Sequence, residues 1–285
     1  MMARDYGLFG PDSVTWRVHT DPTMVLAGFL ALEIQALHPP SMWGTQQNSR
    51  LFDRDQAFAR LMRTGDFVSI RTFGSTDEVE KVGRRVRKLH ARLRGTNPET
   101  GEVFRVDEPE NLLWVHCGEI AAYLRVARLA GILTADEADT YVDEQRRAAT
   151  VVGLEPGDVP GSAAELDAYF QDMRPKLRLT DAARDAMRSW AVVPVPWHQA
   201  TLRVVFPTVA ALGFVLMPGW ARAMYGLPAW EGPMLDGPAS AALRAVRPAM
   251  RATPDLWNIT PIQRGYARHA LALMRSGRAP LAMAA

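Results

Sequence analysis

A single cysteine, Cys117, stands in the whole chain. That excludes an internal disulfide and a cysteine-based zinc site, and it fits a reducing compartment or indifference to redox state. An excess of either charge is equally scarce. The formal net charge is +2, too small to argue for a nucleic-acid partner on its own. Long apolar runs are missing as well. Met24–Leu37 carries Glu33 and Gln35, and Val204–Met217 covers only 14 residues and contains Pro207. A membrane span needs about 20 apolar residues, so both stretches read as buried core helices and no transmembrane segment is expected. The N-terminal stretch up to Trp16 has no apolar h-region and no small-residue cleavage site, so no secretory signal is visible and a cytoplasmic location is expected.

Several motifs are absent. There is no Gly-x-Gly-x-x-Gly, no P-loop, no His-Glu-x-x-His and no Gly-x-Ser-x-Gly. Nor is there the Glu-x-x-His pair that a ferritin-like di-iron bundle needs on two helices. These gaps argue against nucleotide chemistry, zinc proteolysis, serine hydrolysis and di-iron oxygenation.

What is present is ordinary for a globular protein: 48% hydrophobic and 22% charged residues over 285 positions, enough for one large domain. Strand signals are few and helical spacing recurs. Helices are expected over Thr23–Leu37, ended by Pro39 and Pro40, over Asp55–Ile70, and over Thr76–Arg94, ended by Gly95. Residues 95–110 read as a loop, and a fourth helix as Asn111–Ala130. Capping boxes at Thr134/Glu137 and Ser162/Glu165 open a fifth helix, to about Val152, and a sixth; Thr180 starts a seventh. Beyond Pro194 proline becomes frequent, and shorter, kinked helices are expected there. The expected fold is all-α: one helical domain over residues 1–275 and a loose tail over 276–285.

Six histidines remain as sources of chemistry. His90 lies one turn past Val86 and two turns past Gly83 on the third helix. A flat macrocycle lying against a helix needs an imidazole with small or apolar neighbours of this kind, and an axial histidine is the usual holder of haem iron. The same spacing also describes a polar histidine at the edge of an amphipathic helix. Arg60 and Thr64, four apart on the second helix with Arg63 between them, place a cation and a hydroxyl on one face. On spacing alone they read first as a solvated arginine and a threonine bonded to its own backbone, with a propionate and a bound oxygen species as the other reading. His116 is a second candidate ligand, or a buried histidine bonded to a neighbour such as Glu119. The seven basic residues from Lys81 to Arg94 read as a solvated surface, with propionate pairing or an anionic partner as the other reading. Trp197-His198 reads as local packing.

The order of the segments carries more than any one of them. His38-Pro39, then Arg60-Leu-Met-Arg-Thr64, then Val86-Arg-Lys-Leu-His-Ala91 with Gly95, then Trp114-Val-His116 follow one another. After them come Tyr141 with Glu144, Val152-Gly153 with Pro160, and Met217-Pro-Gly-Trp-Ala-Arg222 with Tyr225-Gly-Leu227. Over roughly residues 8 to 230 this series is similar to the latex-clearing protein (rubber oxygenase) and mpaB-type oxygenase family. The resemblance implies an all-helical, globin-like fold around one b-type haem. It implies His90 as the proximal iron ligand, and Arg60 and Thr64 in the haem pocket. Arg63 falls where rubber-cleaving members carry a lysine, and a planar guanidinium is not a compact ammonium. Those members also carry a pocket glutamate on the segment before this helix, whereas Ser41–Arg50 contains no carboxylate. The missing carboxylate and the missing secretion signal argue against polyisoprene cleavage.

The resulting expectation is a haem b (iron) oxidoreductase acting on a small or medium apolar molecule with dioxygen or peroxide. Arg60, Arg63 and Thr64 face His90 across the pocket, and apolar side chains of the first and fourth helices shape the substrate cavity. Two rivals stand beside it: a non-catalytic haem-binding or gas-sensing protein, and a haem-free helical scaffold or ligand carrier.

Overall fold

Side chains and prolines that complete the first turns of helices set the frame of this protein, because those turns leave N–H groups without partners. The computed structural model describes residues 5–53, 55–191, 195, 202–229 and 233–276. Ser13 accepts from Trp16 N at the head of α1 (Val14–His19). After α2 (Met24–Gln35), the prolines that end its run also open α3 (Pro39–Asn48), where their missing N–H groups cost nothing. α4 (Ala57–Phe73) and α5 (Thr76–His90) form a helical hairpin, its turn set by the complete capping box of Ser75 and Glu78.

α5 stops at His90, earlier than the predicted Arg94, because Arg94–Thr96 is a short strand, β1. It pairs antiparallel with β2 (Val103–Arg105), placing Gly95 opposite Phe104. A Cβ at Gly95 would lie 2.2 Å from Phe104 Cζ, so glycine there makes room for the ring rather than merely ending a helix. This hairpin corrects the loop expected over residues 95–110. Three-residue strands are too short to leave a period-2 pattern in the sequence.

α6 (Pro109–Leu129) ends on Gly131, whose φ of 68° completes a left-handed cap that side chains rarely adopt. α7 (Ala135–Ala149) opens on the second complete capping box, Thr134 with Glu137, and passes into a 3-10 turn over Thr150–Val152. α8 (Ala163–Met173) follows Ser162, and α9 (Asp181–Ala191) follows Thr180. Then come α10 (Leu202–Leu216), α11 (Gly219–Met224), α12 (Pro233–Ala252), α13 (Pro254–Trp257) and α14 (Pro261–Ser276). The expectation of short helices in this proline-rich part fails for α12, which runs 20 residues with Pro238 and Pro248 inside it. Contacts to the body hold it: Ser240 donates to Leu129 O, and Arg247 pairs with Asp21 at 2.7 Å. Trp197 and His198 lie outside the described residues, as do 277–285 of the expected tail.

The protein is mostly helical, as expected. α2 and α6 lie against each other at its centre, and α10 covers α2. Both central helices are apolar on more than one side, which is how fully enclosed helices read. Trp114 Nε1 donates to Gln35 O at 2.9 Å and Gln35 Nε2 donates to Val115 O at 2.8 Å, locking the two together. No described helix is long and apolar enough to cross a membrane.

Candidate active site

α4 carries an apolar stripe that the fold does not seal. None of its side chains between Ala57 and Arg71 is buried, although Phe58, Leu61 and Met62 touch the core. At its N-terminal end Arg60 Nη1 donates to Thr64 Oγ1 at 2.5 Å, so these two are brought together as their spacing predicts. The Thr64 hydroxyl also lies 3.3 Å from Arg60 O, the backbone contact a helical threonine commonly makes. Partial burial lowers the Arg60 pKa, and the positive charge of Arg63 lowers it further. Arg63 itself is exposed and makes no hydrogen bond or ion pair with a described residue.

His90, the last residue of α5, lies close enough to Arg60 to feel its charge. Burial lowers the imidazole pKa first, Arg60 lowers it further, and Asp107 partly opposes them. Its Nδ1 is buried without a hydrogen-bond partner. Val86 is half-buried one turn earlier. Gly83 serves another contact: a Cβ there would come within 3.1 Å of Val151 Cγ1 and the Val151 carbonyl oxygen. Its missing side chain lets α5 approach the turn after α7. The basic run around His90 is mainly a solvated surface, with Arg84 and Arg87 paired to Glu80.

His116 is not grouped with His90. It is buried on α6 beside Arg71 and Glu119, its Nε2 without a partner, and its pKa falls to about 4 through burial and then the Arg71 charge. The bond to Glu119 that the sequence offered is not made. Glu119 gives both oxygens to Arg71 instead, Oε2 accepting from Nη1 at 3.0 Å and Oε1 from Nη2. Burial opposes ionisation of Glu119, but the charge and hydrogen bonds of Arg71 outweigh it and hold its pKa down. His19 completes this group. It stacks on Tyr123 with ring centroids 4.6 Å apart, and its Nε2 lies 3.2 Å from Tyr141 OH. Burial, then Arg71, push its pKa down to about 3, so the ring is neutral. Sequence reasoning missed this cluster because its members come from four helices, α1, α4, α6 and α7. Only the closeness of His116 and Glu119 along α6 was visible.

A cavity of about 220 Å³ adjoins both groups. α2 and α4 form its long walls, with Met24, Phe29, Leu61, Met62 and Val68 among the apolar linings. Thr64 lines it from the first group, and His19, Glu119 and Tyr123 from the second. α6 thus contributes polar side chains where apolar ones were expected, and Ile259 and Gln263 close the far side from the C-terminal part of the chain. Among the described residues no three His, Cys, Asp or Glu side chains converge to hold a bare metal ion. A haem asks less of the protein, since its macrocycle supplies the equatorial ligands and one imidazole suffices.

A mostly helical bundle with an unsealed helix face and a small cavity beside it is the class of protein these features define. The model of one family, described as ER-bound oxygenase mpaB/B'/Rubber oxygenase, catalytic domain, matches residues 16–252. The chain belongs to this family. In comparisons with curated proteins and with solved structures, nothing matches.

Proposed function

We propose that the protein is a haem b-dependent oxidoreductase of the oxygenase type, using dioxygen or peroxide on a small apolar substrate. Membership of an oxygenase family supports the reaction class. The observation that carries the cofactor is His90, a half-buried imidazole with no hydrogen-bond partner among the described residues, beside the Arg60–Thr64 pair. The half-exposed apolar stripe of α4 also fits, because it leaves room for a flat apolar group that the fold alone does not fill.

In this reading His90 holds the iron. When bound, the haem supplies the redox chemistry that protein side chains lack. Arg60 pairs with a carboxylate of the group or donates to developing negative charge, and its hydrogen bond fixes the orientation of the Thr64 hydroxyl. Arg63 adds positive charge beside them. The apolar walls keep water from the reacting atoms.

The visible spectrum of the purified protein tests the proposal. A Soret band that shifts on reduction and on adding carbon monoxide is expected, and His90→Ala abolishes it. Normal haem content in His90→Ala would end the assignment of the ligand, and a colourless protein from haem-replete cells would end that of the cofactor.

A further inference from the structure

A second pocket, of about 300 Å³, lies where α12 meets the end of α6. Ala130, Arg244, Arg247, Pro248 and Arg251 line it, with no carboxylate among them. Steps of three and four along α12 bring the three arginines to one face of that helix. Like charges at this spacing repel each other, and α12 has no free acid to offset them. Its one acidic residue, Asp236, pairs with Arg125 at 2.7 Å.

The rest of the fold covers only part of this charge. Arg247 Nε donates to Asp21 Oδ2 at 2.7 Å. Arg244 Nε lies 3.4 Å from Leu129 O, an oxygen that already accepts from the Ser240 hydroxyl at 2.7 Å. That carbonyl brings no full charge. Gly131 leaves space for the same guanidinium, since a Cβ there would lie 3.2 Å from Arg244 Cζ. Arg251 makes no hydrogen bond or ion pair with a described residue. Three guanidinium charges set against one carboxylate leave two positive charges in excess at one pocket.

A guanidinium presents its N–H groups as a planar fork that fits the oxygens of a phosphate or carboxylate two at a time. The charge count separates these ligands. A carboxylate brings one negative charge, whereas a phosphate monoester brings about −1.5 to −2 at neutral pH and three strong acceptor oxygens. Ala130 and Pro248 add an apolar wall, which suits the carbon portion of an ester better than a bare inorganic ion. We propose that this pocket binds a phosphate monoester, its oxygens held by Arg244, Arg247 and Arg251. The ligand is either a soluble ester or the headgroup of a monoester lipid, since both present the same phosphoryl group. Nothing in the site depends on the haem assigned above, and none of its residues belongs to the proposed iron pocket.

Calorimetric titration of phenyl phosphate into the purified protein at physiological ionic strength tests the proposal. Phenyl phosphate should bind about tenfold more tightly than benzenesulfonate, which has the same ring and a single charge. Arg244→Gln and Arg251→Gln should each weaken phenyl phosphate about tenfold while circular dichroism stays native, the loss of one charged hydrogen-bonding partner. Arg85→Gln removes the same charge from an exposed position on α5 and should change the affinity by less than about twofold, because salt screens a distant charge. Asp21→Asn removes the one competing carboxylate and should tighten binding about three- to tenfold. Vesicles of phosphatidylcholine with and without phosphatidic acid separate the two sources. Sedimentation with the phosphatidic acid vesicles alone, lost in Arg251→Gln, assigns the site to a lipid headgroup; phenyl phosphate binding without sedimentation assigns it to a soluble ester. Phenyl phosphate that does not bind, or binds no better than benzenesulfonate, overturns the proposal. So does a loss in Arg85→Gln equal to that in Arg251→Gln.

Discussion

Glu33 offers the sharpest test of how burial governs this protein. It lies on α2 with 1% of its surface exposed, and its Oε2 has no hydrogen-bond partner. A Cβ built on Gly213 would come within 2.5 Å of that oxygen, so α10 presses directly on the carboxyl group. Burial alone pushes its pKa from 4.5 up to about 9. Between those two values the folded protein keeps the proton and the unfolded chain releases it, so stability falls as pH rises through the window. Each pH unit costs about 1.4 kcal/mol, which amounts to roughly 3 kcal/mol at neutral pH and roughly 6 kcal/mol near pH 9. Glu33→Met is similar in length and unbranched, and it removes the titration without opening a cavity. Urea unfolding followed by circular dichroism should find the variant more stable by about 3 kcal/mol at neutral pH, with the gap growing towards pH 9 and closing towards pH 5. Parallel stability curves for the two proteins across this range would refute the reasoning, as would a variant less stable than the parent at neutral pH.

Other contacts make comparable demands. Arg71→Met leaves Glu119 as an unpaired carboxylate beside His19 and His116. It should cost on the order of 3 kcal/mol in chemical denaturation, with the Arg71→Met/Glu119→Met double variant recovering most of it; a loss below about 1 kcal/mol for the single change would contradict this account. Gly95→Ala places a Cβ 2.2 Å from Phe104 Cζ and should lower stability by about 1–3 kcal/mol, seen as a fall in Tm of several degrees. Ser75→Ala removes the capping box at the α4–α5 turn and should cost about 1 kcal/mol by the same measurement.

Much of the frame was legible before any coordinates. The capping box of Thr134, the cap at Ser162 and the prolines after α2 act through neighbours within a few residues, so local chemistry reveals them. The pairing of Arg60 with Thr64 is of the same kind, because a four-residue step on a helix puts both on one face whatever surrounds it. The hairpin of Gly95 and Phe104 escaped notice because its strands are shorter than any pattern that could announce them. Gly83 was ambiguous for a different reason, since a small residue on a helix face suits a ligand and a neighbouring segment equally, and Val151, far along the chain, lies against it.

By itself the sequence determined that this chain folds as helices, and the order of its motifs pointed to an oxygenase family. Those properties are set by spacing, capping and the absence of competing motifs. Only the tertiary structure decided which polar groups share a neighbourhood. His116 met Arg71 and Glu119 rather than His90, and Glu33, which in sequence argued only against a membrane span, became a buried acid held neutral by desolvation. Ionisation, pairing and cavity shape depend on atoms brought together from α1, α2, α4, α6, α7 and α14. No periodicity along one helix encodes what the others will place beside it.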